Sequence, residues 1–255
     1  MKEKLGTIFG AILFAAIIGG MIHVNVVTEK SNGKIFSEII LEGDKTLSAN
    51  DYLISSDLNK VSEHPELTLQ EIKSRITQHP YVAAAEVQAD GIGRVVINIV
   101  EKDFMAVLLM KSDTFLITEN FQIIKLKKNS DISKLPVISN VNLNRKSDDP
   151  GSIHSEELIR AFKIIDVAKI VNDEMYKDLT EINLRHGGDV ILRFSSITYP
   201  VIFGKGSEGK KVVILSSIWK GLNEKDILFK NSSYVDLRFN NEIFIGKPVN
   251  TESNG

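Results

Sequence analysis

Apolar residues fall along this chain in three patterns: one long unbroken run, several short alternating runs, and runs spaced three and four apart. The unbroken run comes first. From Leu5 to Val27 (LGTIFGAILFAAIIGGMIHVNVV) there is no charged residue. At roughly 1.5 Å per residue it covers about 34 Å as a helix, enough for a hydrocarbon core of about 30 Å. A helix satisfies its own backbone hydrogen bonds there, and glycine is common in such helices. A cleaved signal peptide has a shorter apolar core and a small-x-small site; His23-Val24-Asn25-Val26-Val27 is a poor one, so the run is expected to remain as an anchor. Lys2 and Lys4 on the head, residues 1–4, favour a cytoplasmic head with the rest of the chain outside.

After a polar linker, residues 28–34, the pattern shortens. Ile35 to Leu41 (IFSEIIL) reads as a strand, and Gly43-Asp44 turns the chain. Ser48 is placed to cap a helix from Ala49 to about Asn59. Thr68 caps a second helix, with Glu71 completing a capping box. Leu69, Ile72 and Ile76 share one side of it, and His79-Pro80 stops it, because the residue before proline avoids the helical region. Val82 to Ala89 and Arg94 to Val100 are strands around Asp90-Gly91-Ile92-Gly93. Val95, Ile97 and Ile99 alternate with Val96, Asn98 and Val100, which gives one apolar and one mixed face. The order strand, helix, helix, strand, strand closes its own sheet, so this unit is expected to fold alone.

A second, strand-rich region follows. Phe104 to Met110, Thr114 to Ile117 and Phe121 to Leu126 read as strands, and Leu135-Pro136-Val137-Ile138 as an extended segment whose proline suits an edge. Lys146 to Gly151 is a polar loop. Ser155 caps a helix from Glu156 to about Val171. Leu179 to Leu184, Val190 to Phe194 and Val201 to Phe203 are strands. A helix opening at Ser207 or Gly209 buries Val212, Leu215, Ile218, Trp219 and Leu222. Tyr234 to Phe239 and Glu242 to Lys247 form a closing hairpin around Asn240-Asn241, and residues 248–255 read as a disordered tail. The fold class is α+β.

Composition removes options. A formal net charge of −2 and the lack of a basic stripe argue against nucleic acid as a partner. The chain has no cysteine, and its five histidines, His23, His64, His79, His154 and His186, lack metal-ligand spacing, so no metal or cofactor is expected. Gly204-Lys205-Gly206-Ser207-Glu208-Gly209-Lys210-Lys211 fits a phosphate loop up to its last position. There Lys211 stands where a Ser or Thr hydroxyl would bind magnesium, so no nucleotide is expected. No catalytic constellation is present, and the chain is not expected to be an enzyme. The last strand, Glu242 to Lys247, should leave one sheet edge unpaired, where a partner can add a strand. Ile243, Phe244 and Ile245 offer anchors on alternating faces; the rival reading packs all three into the domain.

Several segments resemble the bacterial cell-division family FtsQ, also called DivIB. Ile39-Ile40-Leu41-Glu42-Gly43-Asp44 resembles an opening strand and turn, and Pro80-Tyr81-Val82-Ala83-Ala84-Ala85-Glu86-Val87 a "P-x-V…A-x-V" element. Val95 to Lys102 resembles the strand ending in "V-x-E-(R/K)" before Ala106, although Phe104 replaces the usual proline. Leu135-Pro136-Val137-Ile138 is similar to "LP-x-I", and Tyr234-Val235-Asp236-Leu237-Arg238-Phe239 to "Y-(V/I)-D-L-R-(F/Y)". The resemblance implies a transmembrane helix over 5–27, a POTRA domain (βααββ) over 35–103, and a β domain with packed helices over 104–247. It also implies a non-enzymatic scaffold of the divisome, in the inner membrane at the division septum, with its C-terminal region periplasmic. Expected partners are small coiled-coil proteins of the FtsB and FtsL kind, other divisome membrane proteins, and the lipid bilayer through Leu5–Val27. The expected partner site is Tyr234, Asp236, Arg238, Phe239, Asn241, Glu242, Ile243, Phe244, Ile245, Gly246 and Lys247, with Phe239 as the leading anchor. The competing function is a POTRA-bearing assembly factor for outer-membrane proteins, a class that carries several such units and a barrel.

Overall fold

A computed structural model describes residues 36–111, 113–142, 155–223, 229, 232–239 and 242–247. The apolar run 5–27, the linker 28–34, the loop 146–151, the turn Asn240-Asn241 and the tail 248–255 lie outside the described residues. Among the described residues, no helix is long and apolar enough to cross a membrane.

The described residues build two sheets. The first holds β1 (Glu38–Glu42), β3 (Arg94–Glu101) and β2 (Val82–Ala89) in the order β1-β3-β2, with β1 parallel and β2 antiparallel to β3. Val95, Ile97 and Ile99 point inward, as their alternation requires, against Tyr52 of α1 (Ala49–Ser55) and Ile72 and Ile76 of α2 (Leu69–Thr77). The capping box forms as read: the Glu71 amide donates to Thr68 Oγ1, and the Thr68 amide to Glu71 Oε2. Helix α1 is shorter than its pattern suggested. Asp57 takes a left-handed φ of 55°, its amide returns to the Ile54 carbonyl, and the Leu58 amide to that of Leu53. This paired closure ends a helix whatever residues follow, and it turns Leu58 into the core.

The second sheet has nine strands in the order β12-β11-β10-β9-β8-β7-β4-β5-β6. They are β4 (Phe104–Met110), β5 (Asp113–Thr118), β6 (Ile123–Lys125), β7 (Val137–Ser139), β8 (Leu179–Asn183), β9 (Val190–Phe194), β10 (Val201–Gly204), β11 (Tyr234–Asp236) and β12 (Phe244–Gly246). Helices α3 (Glu156–Val171) and α5 (Glu208–Asn223) pack with one face of this sheet in a single apolar core. A short helix between them, α4 (Asp173–Asp178), was not read from the sequence; the Asn172 side chain caps it by accepting from the Met175 amide.

The proline segment is not an edge, because β7 lies inside the sheet, parallel to both β4 and β8. Pro136 stands one residue before the strand, so its missing N–H removes no ladder bond, and its carbonyl accepts from the Val107 amide at 3.0 Å.

The two sheets share a core. Phe104, Val107, Leu116 and Ile124 from β4, β5 and β6 join the cluster of Leu41, Tyr52, Ile72 and Ile97. Tyr81 links the units: its hydroxyl accepts from the Lys127 amide at 2.7 Å, and its ring meets that of Phe104 edge-on at 5.1 Å. The Asp131 amide donates to the Thr46 carbonyl at 2.7 Å.

Candidate partner-binding edge

The last hairpin completes the nine-stranded sheet from one side. Strand β11 runs parallel to β10, with Val201 opposite Val235, and antiparallel to β12, with Val235 opposite Ile245. Val235 and Leu237 are buried under the helices, which fixes the faces. Tyr234 and Asp236 therefore lie on the other face, together with their cross-strand partners Gly246 and Phe244. Among the described residues, strand β12 has β11 on one side and no strand on the other.

The expected site residues separate into two groups. Tyr234, Phe239 and Phe244 are 38%, 50% and 46% exposed. The Phe239 and Phe244 rings meet edge-to-face at 4.6 Å, and the Tyr234 ring covers Gly246 so closely that a Cβ there would overlap it. Glu242 and Lys247 are exposed, Ile245 is half-buried, and Ile243 packs partly against the core. Asn241 lies outside the described residues.

Asp236 and Arg238 are committed internally. Asp236 is buried; Arg238 Nη2 reaches its Oδ2 at 2.7 Å, and Arg238 Nη1 reaches Asp189 at 3.0 Å. Burial pushes the Asp236 carboxyl up, but the hydrogen bonds and charge of Arg238, with the charge of Lys211, outweigh it and hold the carboxyl below its usual value. The pair thus fixes the exit of β11 and aims the chain toward Phe239. The part played by Asp189 was not legible, because it lies 49 residues from Arg238 with no motif linking the two.

The glycine-rich loop beside this network is filled by its own side chains. The Lys211 ammonium is buried and donates to the carbonyls of Phe203 at 2.9 Å and Lys205 at 3.1 Å. The Gly206 amide, which a phosphate would use, donates to Glu208 Oε1 at 3.0 Å. The segment fits a phosphate loop only as far as Lys210, and the fold uses it as a strand-to-helix turn closed by Lys211 and Glu208.

Residues 36–102 match the sequence model of the POTRA domain, FtsQ-type. The matched stretch takes in the three-stranded sheet with its helices and stops before β4. A domain of this type is a non-catalytic protein-interaction module, and it suggests a division-related scaffold role. The match supports the resemblance to the FtsQ (DivIB) family. Comparison of the chain with curated proteins gave no match.

Proposed function

We propose that this protein is a non-enzymatic, single-pass membrane scaffold of the bacterial division machinery that holds small FtsB- and FtsL-like coiled-coil proteins at the septum. One observation carries the reading. An FtsQ-type POTRA domain is followed by a sheet whose last strand, among the described residues, has a neighbour on one side and none on the other, with three exposed aromatic rings around it. An open edge can take an added strand through main-chain hydrogen bonds, and exposed aromatics supply anchors beside it. Leu5–Val27 anchors the chain in the inner membrane, with the sheets on the outer side.

A fluorescent fusion in dividing cells should concentrate at midcell; a uniform envelope signal would instead favour a general assembly factor. Partner pull-down from the same cells should fall about tenfold for Phe239→Ala combined with Phe244→Ala, since truncation of an interface anchor costs more than about 1 kcal/mol. Ile245→Pro disrupts the backbone of the edge itself and should abolish recovery. Only variants that melt like the wild type count, and undiminished recovery by those variants would remove β12 from the interface.

A further inference from the structure

At the far end of the nine-stranded sheet from β12, two clefts meet where the POTRA domain packs on β6. The first, about 380 Å³, lies between the ends of α1 and α2, with Arg75, His79 and Lys127 on its walls. The second, about 560 Å³, runs along β6, with Lys102, Gln122 and Ile123 among its walls. Pro80 and Lys127 border both, so together they make one trough.

The trough carries unspent positive charge. Arg75 is held by Asp57 at 2.9 Å, and Lys125 by Asp113 at 3.1 Å. Among the described residues, neither Lys102 nor Lys127 has a carboxylate partner; the Lys102 ammonium reaches only the neutral Gln122 Oε1, at 3.0 Å. Burial, then the charges of Lys127 and Lys102, push the His79 imidazole down to about 4 against an opposing pull from Glu101. Two buried polar atoms of the first cleft's lining residues, His79 Nε2 and Ser56 Oγ, have no hydrogen-bond partner among the described residues.

The floor of the second cleft is the free side of an edge strand. Among the described residues, strand β6 pairs with β5 alone. The Thr118 amide donates to the Gln122 carbonyl and the Leu126 amide to that of Thr114, so the even-numbered residues of β6 face β5. The backbone N–H and C=O of Ile123 therefore face away from β5, while Tyr81 already takes the Lys127 amide and donates to the Lys125 carbonyl at 3.4 Å. Leu126 and Pro80 add apolar surface.

We propose that this trough is a second docking site, for an extended acidic segment of a partner protein whose carboxylates meet Lys102 and Lys127 while its backbone meets the edge at Ile123. Charge complementarity selects the acidic segment, and the open strand selects an extended one. The site is separate from the C-terminal edge and does not depend on it.

The test uses the full chain in zwitterionic detergent and a labelled decapeptide alternating glutamate with small apolar residues. A lysine-for-glutamate counterpart and vesicles with or without phosphatidylglycerol are the other probes. The wild type should bind the acidic peptide, more weakly as salt rises, and should not bind the lysine peptide. Lys102→Ala combined with Lys127→Ala should weaken binding about tenfold or more, and Lys127→Glu alone should do so if the double variant melts low. Lys177→Ala, remote on α4, and Phe239→Ala, at the C-terminal edge, should bind like the wild type. Unchanged binding by the folded lysine variants, equal binding of the lysine peptide, or loss on Phe239→Ala would each overturn the proposal. So would lysine-dependent binding to phosphatidylglycerol vesicles without peptide binding, which would make the trough a lipid contact.

Discussion

Two side chains of the POTRA domain make its stability depend on pH in different windows. His79 is buried between Tyr52 and Tyr81, its Nδ1 accepting from the Tyr81 amide at 3.2 Å. With its value lowered from 6.5 to about 4 in the fold, the unfolded chain binds the extra proton between those limits. The stabilisation is complete above about 6.5 and is lost as pH falls toward about 4. Urea midpoints measured from pH 7 to 4.5 should fall for the wild type and fall less for His79→Gln; parallel curves would exclude His79 as the source. Glu101 works lower on the scale. Burial raises its carboxyl, but hydrogen bonds from Thr46, Tyr52 and Lys45 outweigh this and lower it. Its contribution is present above the ordinary carboxylate range and is lost as pH falls through the lowered value. Glu101→Gln should cost about 1–2 kcal/mol at pH 7, and in thermal melts the gap from wild type should narrow as pH falls below the ordinary carboxylate range. The capping box of Thr68 and Glu71 was legible because its members are three residues apart. The catch of Glu101 on Thr46 spans 55 residues and has no local signature.

At the level of elements, period-two alternation was the dependable guide. Strands β2 and β9 have the bounds their patterns gave, while β11 and β12 are half as long as read. Strand β11 stops where Arg238 folds back on Asp236 two residues away, which no hydrophobic pattern encodes. The position of β7 departs from its pattern for a related reason: a proline just outside a strand and one inside it look alike until the ladder is known. At the terminal hairpin, Gly246→Ala should displace the Tyr234 ring, because the added carbon would overlap it. The ring is at the exposed end of a side chain and can swing away, so the loss should be no more than about 1 kcal/mol. A double-mutant cycle with Tyr234→Ala should then find the two costs non-additive; additive costs would mean the ring does not pack on the glycine.

For the molecule as a whole, the POTRA unit was legible in the order of its elements, whereas the core it shares with the strands that follow was not. A fragment of residues 35–103 would leave Tyr81 without Phe104 and without the Lys127 amide. Calorimetry should therefore find it melting cooperatively but below the full chain, and equal melting temperatures would mean the shared core contributes nothing. The order of the large sheet has a further consequence. Its nine strands, about 4.8 Å apart, set the β6 and β12 edges roughly 38 Å from one another. Chains seated at the two ends would not exclude each other. One flexible partner could hold both only if the stretch between its motifs spans that width, at least about 11 extended residues. Above that length the second contact becomes intramolecular and total affinity rises by avidity, so the width of the sheet sets a minimum linker length for bivalent partners.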